Sequence, residues 1–141
     1  SFTKATCTSS NKDTWNIHLI LCCKVEINNL EELGIPYKYF EMASLEVVNE
    51  LYNIIDLYVV SSRIEGGPQA ILECAASKTP ILSTKVGVAP EVLHEDSIYD
   101  IGEFSKAKIH TEYAWQRVQK YFLPDGFNEF INLFKSVTNT I

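Results

Sequence analysis

Two spacings of apolar residues alternate along the chain. Short continuous runs such as "NIHLILCC", "LYVV" and "PILST" are separated by stretches in which apolar residues return every three or four positions. The first kind predicts buried strands, the second amphipathic helices. "NIHLILCCKVE" is thus a strand and "YKYFE" another, and between them Asn28 caps a short helix through "NLEEL" that Gly34 ends, with Pro36 beyond. Ser44 opens the next helix, whose apolar face is Val47, Val48, Leu51, Ile54 and Ile55, with Glu46 in the first turn where the helix dipole favours a carboxylate. "DLYVVSS" is a third strand, "PQAILECAASK" a helix, "PILST" a fourth strand and "APEVLHE" a short helix with Pro90 near its first turn. A clipped strand at "SIYDI" and two helices, near 111–122 and 126–137, follow, with Pro124, Asp125 and Gly126 breaking one helix from the next. The first fifteen residues read as polar and turn-rich.

Strands and helices alternate strictly from residue 16 to residue 93. Right-handed βαβ units around a parallel sheet produce that order, so the expected class is α/β. A length of 141 residues predicts one domain over 1–141 built on one core, and the start without an initiator Met raises the expectation of a piece of a longer protein. The last two helices either pack on the same sheet or reach toward a neighbour.

Composition then narrows the function classes. Hydrophobic residues at 46% and charged residues at 21% argue against long disorder. A net charge of −6 without any basic run excludes the electrostatic footprint of a nucleic-acid binder. The apolar runs are too short for a transmembrane segment, and no charged-then-apolar leader opens the sequence. Cys7, Cys22, Cys23 and Cys74 show no CxxC spacing and no Cys/His cluster, so they read as reduced core residues and no metal is expected. That pattern implies a cytoplasmic protein, free or peripheral to a membrane. His18, His94 and His110 have no partner at the level of sequence that would make one a catalytic base.

The chemistry concentrates in "SSRIEGGPQAILECAAS", residues 61–77. Residues 61–68 fall at the carboxyl edge of a parallel sheet, where open α/β folds bind ligands. Gly66 and Gly67 let backbone approach a ligand and take positive φ, and Pro68 suits the first helical position. The amides of Gln69, Ala70 and Ile71 then form a site for an anion or hydroxyl. Glu65 stands beside that site, and Glu73, about 7–8 Å further along the helix axis, leans back toward it. Apolar neighbours would bury the helix around Glu73, so its charge needs a partner such as a hydroxyl pair. Two plainer readings stay open: Glu65 as a solvated loop residue, and Glu73 as a complement to the helix dipole or a partner of Lys85.

Residues 56–93, "DLYVVSSRIEGGPQAILECAASKTPILSTKVGVAPEVL", resemble the donor-binding half of retaining GT-B glycosyltransferases, specifically glycosyltransferase family 4. Glu65 and Glu73 match the family's pair of glutamates separated by seven residues, and "TKVGVAPEVL", with Gly87, Pro90 and Glu91, resembles its glycine–glutamate loop and helix. The resemblance implies a Rossmann-like parallel sheet flanked by helices, one half of a GT-B fold, with a nucleotide-diphosphate sugar as donor substrate and no cofactor. It places Glu65 under the transferred sugar as the catalytic group and Glu73 on the ribose hydroxyls. The backbone of Gly66, Gly67, Pro68, Gln69 and Ala70 would meet sugar hydroxyls and diphosphate. Phe40 and Glu41 would neighbour the base, although Phe40 equally suits a strand-end core position.

One departure stands out. The family's Arg and Lys, about five residues apart, clamp the diphosphate, whereas "SFTKATCTSSNKD" offers only Lys4 and Lys12, eight apart. Lys4 is the better candidate, with Arg63 as a second cation. The resemblance also implies an N-terminal acceptor domain or partner subunit, without which transfer is not expected. Phe127, Phe130, Ile131, Phe134 and Val137 on the final helix could meet it. The competing reading is a non-catalytic nucleotide-binding or subunit-interaction domain with the same fold. A dinucleotide-dependent oxidoreductase is disfavoured because no GxGxxG follows an early strand.

Overall fold

A computed structural model of the chain describes residues 3–9, 15–21, 32, 34, 36–40 and 43–138. Its strands are β1 (Thr3–Ser9), β2 (Trp15–Leu21), β3 (Tyr37–Tyr39), β4 (Tyr58–Val60) and β5 (Ile81–Ser83). Its longer helices are α1 (Leu45–Ile54), α2 (Gln69–Ala76), α3 (Ala89–Val92), α4 (Thr111–Val118) and α5 (Asp125–Thr138). From β3 onward this is the alternation read from the sequence, the expected helix between β2 and β3 lying outside the described residues except for Glu32, and the protein is an α/β, Rossmann-like domain with a small parallel sheet flanked by helices. β2 pairs in parallel with β3, and β4 with β5. The predicted clipped strand contracts to one parallel bridge between Ser83 and Ile98.

β1 is the departure. It pairs antiparallel with β2, Thr3 opposite Leu21 and Ser9 opposite Trp15, and lies alongside β4, bringing the two sheets edge to edge. The segment "TKATCTS" looked turn-like because it is polar. Its threonines at 3, 6 and 8 nevertheless have the branched Cβ that suits a pleated strand. Antiparallel register also puts the start of β1 at the carboxyl end of β2, with Lys4 opposite Ile20.

The helix ends follow local chemistry. Ser44 caps α1, its Oγ accepting from the Val47 amide at 3.4 Å. α1 buries Leu51 and Tyr52, but Ile54, expected on the apolar face, is 67% exposed, while Ile55 turns inward as the C-cap. Gly34 has φ +62, the left-handed conformation expected of a glycine that ends a helix; of the residues expected in the helix before it, only Glu32 is described. α2 ends without a glycine. Lys78 takes φ 56 while its amide and that of Thr79 donate back to the carbonyls of Ala75 and Cys74. Its ammonium meets Glu112 at 3.1 Å and the face of Trp115, tethering the strained residue to α4.

The core collects around α2, where Ala70, Ile71, Cys74 and Ala75 face Tyr58, Ile81, Val92 and Val118. Cys74 forms no disulfide. Cys22 and Cys23 fall outside the described residues, and only the backbone is described at Cys7 and His18. The face of α5 carrying Phe127, Phe130, Phe134 and Val137 stays exposed, so packing on this domain's own sheet is not its role. Among the described residues, no helix is long and apolar enough to cross a membrane.

Ile71 is fully buried, whereas Leu133 on α5 is 61% exposed. Ile71→Ala is expected to cost about 2–5 kcal/mol in urea unfolding, and Leu133→Ala no more than ~0.5 kcal/mol. Equal shifts in the two midpoints would contradict this placement of the core.

Candidate functional site

The parallel pairing of β4 and β5 carries two loops out of the same edge of the sheet. Thr84 stitches them together: its amide donates to the Val60 carbonyl at 3.0 Å and its Oγ1 to the Ser62 carbonyl at 2.6 Å. Further out, Gly87 takes φ +44 and presses against the other loop. A Cβ there would lie 2.6 Å from Pro68 Cδ and 3.1 Å from Gly67 Cα. Only glycine allows both the backbone conformation and the contact.

This corrects the reading of Gly66 and Gly67. Neither takes positive φ; that role belongs to Gly87. A Cβ on Gly66 or Gly67 would meet nothing within 4 Å, so both border open space instead of filling a tight turn. Pro68 lies one position earlier than expected, as the N-cap of α2. Its carbonyl accepts from the Ile71 amide at 3.0 Å, which removes Ile71 from the set of unpaired donors. The amides of Gln69 and Ala70 remain, in the first turn where helical backbone has no internal acceptor.

The two glutamates stand in different surroundings. Glu65 is half-buried, and its Oε2 is inaccessible to solvent with no hydrogen-bond partner among the described residues. An unsatisfied buried carboxylate oxygen is costly, which marks it as a group awaiting a donor. Glu73 departs from expectation, because it lies on the exposed face of α2 and not within its apolar surround. Its partner is Tyr52 rather than Lys85: the Tyr52 hydroxyl donates to Glu73 Oε2 at 2.7 Å. Burial, reinforced by that bond, pushes the Tyr52 phenol well above its ordinary pKa, so it remains a donor at any ordinary pH.

Cations approach from one side. Arg63 is exposed, forms no ion pair among the described residues, and lines with Lys85, Thr84 and Asp100 a depression of about 180 Å³. Lys85 was not singled out as a ligand in the sequence, since one lysine after a strand carries no signal. At Lys4 only the backbone is described, and Lys12 and Glu41 fall outside the described residues. Phe40 is half-buried under the Lys38 ammonium, 5.3 Å from its ring centre. Glu91 fastens structure: its Oε2 accepts from the Tyr121 hydroxyl at 2.9 Å, and its carbonyl from Arg117 Nε at 3.1 Å.

A cavity of about 720 Å³ shares Lys85, Tyr99 and Asp100 with that depression and contains neither glutamate. The paired loops and the unsatisfied carboxylate are at Glu65. The cavity does border residues whose association the sequence concealed. His94 and His110, sixteen positions apart, stack with ring centres 4.2 Å apart beside Asp96.

Comparison with known proteins adds one match. Residues 24–116, about two thirds of the chain, match the family model for glycosyl transferases group 1. No curated protein matches.

The glycine geometry predicts a contrast. Gly87→Ala is expected to destabilise the fold by about 1–3 kcal/mol through its backbone conformation and the clash with Pro68. Gly66→Ala should change stability by no more than about 0.5 kcal/mol. Urea denaturation of both variants checks this, and an unperturbed Gly87→Ala would refute the contact between the loops.

Proposed function

The chain belongs to the glycosyl transferases group 1 family, and on that premise we propose that it is the C-terminal, donor-binding half of a retaining GT-B glycosyltransferase of family 4. Its donor is a nucleotide-diphosphate sugar. The observation that carries this reading is Glu65 Oε2, buried and without a partner among the described residues, beside two glycines that border open space. Sugar hydroxyls would satisfy that oxygen, and its charge would oppose the positive charge that develops at the anomeric carbon. Glu73, with one oxygen already oriented by Tyr52, has acceptor capacity left for the ribose hydroxyls. The amides of Gln69 and Ala70, with the backbone of Gly66, Gly67 and Pro68, address the diphosphate and sugar.

In transfer, the bond from the anomeric carbon to the diphosphate oxygen breaks and a bond to the acceptor oxygen forms on the same face. The acceptor's proton leaves with the diphosphate. Arg63 and Lys85, which line one depression, are the cations we assign to stabilising that leaving group, together with Lys4, whose backbone lies opposite Ile20. An N-terminal acceptor domain or partner subunit closes the cleft, and the chain alone binds donor without transferring sugar. The exposed face of α5 favours a competing reading, a non-catalytic nucleotide-binding or subunit-interaction domain. Transfer by the protein together with its acceptor partner separates the two.

Titration calorimetry with UDP, GDP and their sugars tests the donor site. Binding by at least one of these is expected, weakened about 10- to 100-fold by Glu73→Ala, the range for a lost hydrogen bond to a charged group. Glu65→Gln should leave nucleotide binding nearly intact while abolishing transfer once the acceptor partner is present. Absence of binding by every nucleotide, or a silent Glu73→Ala, would sink the reading.

A further inference from the structure

We infer that His94, Asp96 and His110 form a binding site for a divalent transition ion of the zinc class, separate from the proposed donor site. One ring nitrogen of each histidine and one carboxylate oxygen of Asp96 all lie within 4.8 Å of one another. His110 Nε2 is 3.4 Å from Asp96 Oδ2, and His94 Nδ1 is 3.9 Å from the same oxygen. Ligand bonds of about 2.0–2.1 Å around a tetrahedral zinc ion place neighbouring donor atoms ~3.3 Å apart. The His110–Asp96 edge already has that length, the His94–Asp96 edge is about 0.6 Å longer, and the edge between the two histidines, within 4.8 Å, must close as the rings turn.

A second observation points to a ligand. His110 Nε2 is shielded from solvent and has no hydrogen-bond partner among the described residues, although it faces the carboxylate. A buried ring nitrogen left in that state is a donor atom without an occupant. On His94, Nδ1 accepts from the Asp96 amide at 3.1 Å, a bond that uses the nitrogen's one lone pair, so an ion binding there must displace that amide.

The scaffold around the three residues is fastened by local bonds. Ser97 donates its amide to the His94 carbonyl at 2.9 Å and its hydroxyl to the Lys108 carbonyl at 2.7 Å. The Lys108 amide donates to the Asp96 carbonyl at 2.8 Å. Residues 94–97 and 108–110 are therefore held in register before any ion arrives, which lowers the cost of organising the ligands.

Two imidazoles and one carboxylate suit zinc and its transition-series neighbours, whereas magnesium and calcium prefer oxygen donors throughout. Three protein ligands leave one position open, and His94 and Asp96 both border the cavity of about 720 Å³, which gives water or a small anion access. The rings, tilted by 31°, must splay for both lone pairs to reach one ion; each side chain is about one-third exposed and has room to turn. Lys108 Nζ, 4.0 Å from Asp96 Oδ2, would yield its place to the ion.

Titrating the chain with Zn²⁺ and with Co²⁺ tests the site, using calorimetry, thermal melting and the visible absorption of cobalt. One equivalent of Zn²⁺ is expected to bind and, at about a hundredfold excess over its dissociation constant, to raise the melting temperature by roughly 5 °C or more. Co²⁺ should show the intense visible bands of a four-coordinate ion without thiolate charge transfer, which distinguishes the site from the cysteines. Asp96→Asn, which keeps the shape, and His110→Ala should each weaken binding at least tenfold, while Lys108→Ala should retain it. If Zn²⁺ does not bind, or if Asp96→Asn and His110→Ala bind as the unaltered chain does, the cluster is a stacked pair without an ion and the proposal fails.

Discussion

The contact of Gly87 with Gly67 and Pro68 governs the geometry of the candidate site. Two loops leaving adjacent parallel strands would ordinarily diverge. Here the Thr84 hydroxyl pins one to the Ser62 carbonyl, and a glycine with positive φ lets the other lie directly against it. The N-terminus of α2 is fixed by the same contact, because Pro68 is both its cap and a wall of the junction. The groups at this edge of the sheet, from the Gln69 amide to Glu65, inherit their positions from that junction.

Tyr52 performs a comparable service one helix away. Its ring is in the core, edge-on to Tyr58, and its hydroxyl reaches the rim to hold Glu73. A flexible, exposed carboxylate is thereby held in one orientation by an anchor that cannot itself move without disturbing packing. The dependence runs from α1 through Tyr52 to α2, so residues with no direct access to a ligand set how the site presents itself.

The fold was readable wherever apolar spacing and strand order agreed. Ser44 as a cap and the parallel strands near "LYVV" and "PILST" rest on local chemistry that the structure retains. β1 was hidden because threonine is polar by composition but strand-forming by shape. Lys78 was hidden because a left-handed helix end normally advertises itself with glycine, and here Glu112 and Trp115 hold a lysine there instead. At the candidate site, the sequence drew attention to the glutamates and glycines and assigned positive φ to the wrong pair. It also placed Glu73 in apolar surroundings, because a helix with alanine on several sides does not reveal which side faces solvent. His94 and His110 illustrate the remaining limit: their meeting depends on an excursion between two helices, and no spacing rule anticipates where such a segment returns.

The aromatic row along α5 has a consequence for how copies of this chain behave toward one another. Phe127, Phe130 and Phe134 face water on a protein whose net charge is −6. Apolar contact draws such surfaces together at short range, while like charge keeps the molecules apart over a distance set by dissolved salt. At physiological ionic strength that distance is only about 8 Å, comparable to the width of the helix itself. Ionic strength thus becomes the control on colloidal spacing, with dilute buffer favouring dispersion and concentrated salt favouring association through one narrow strip of surface.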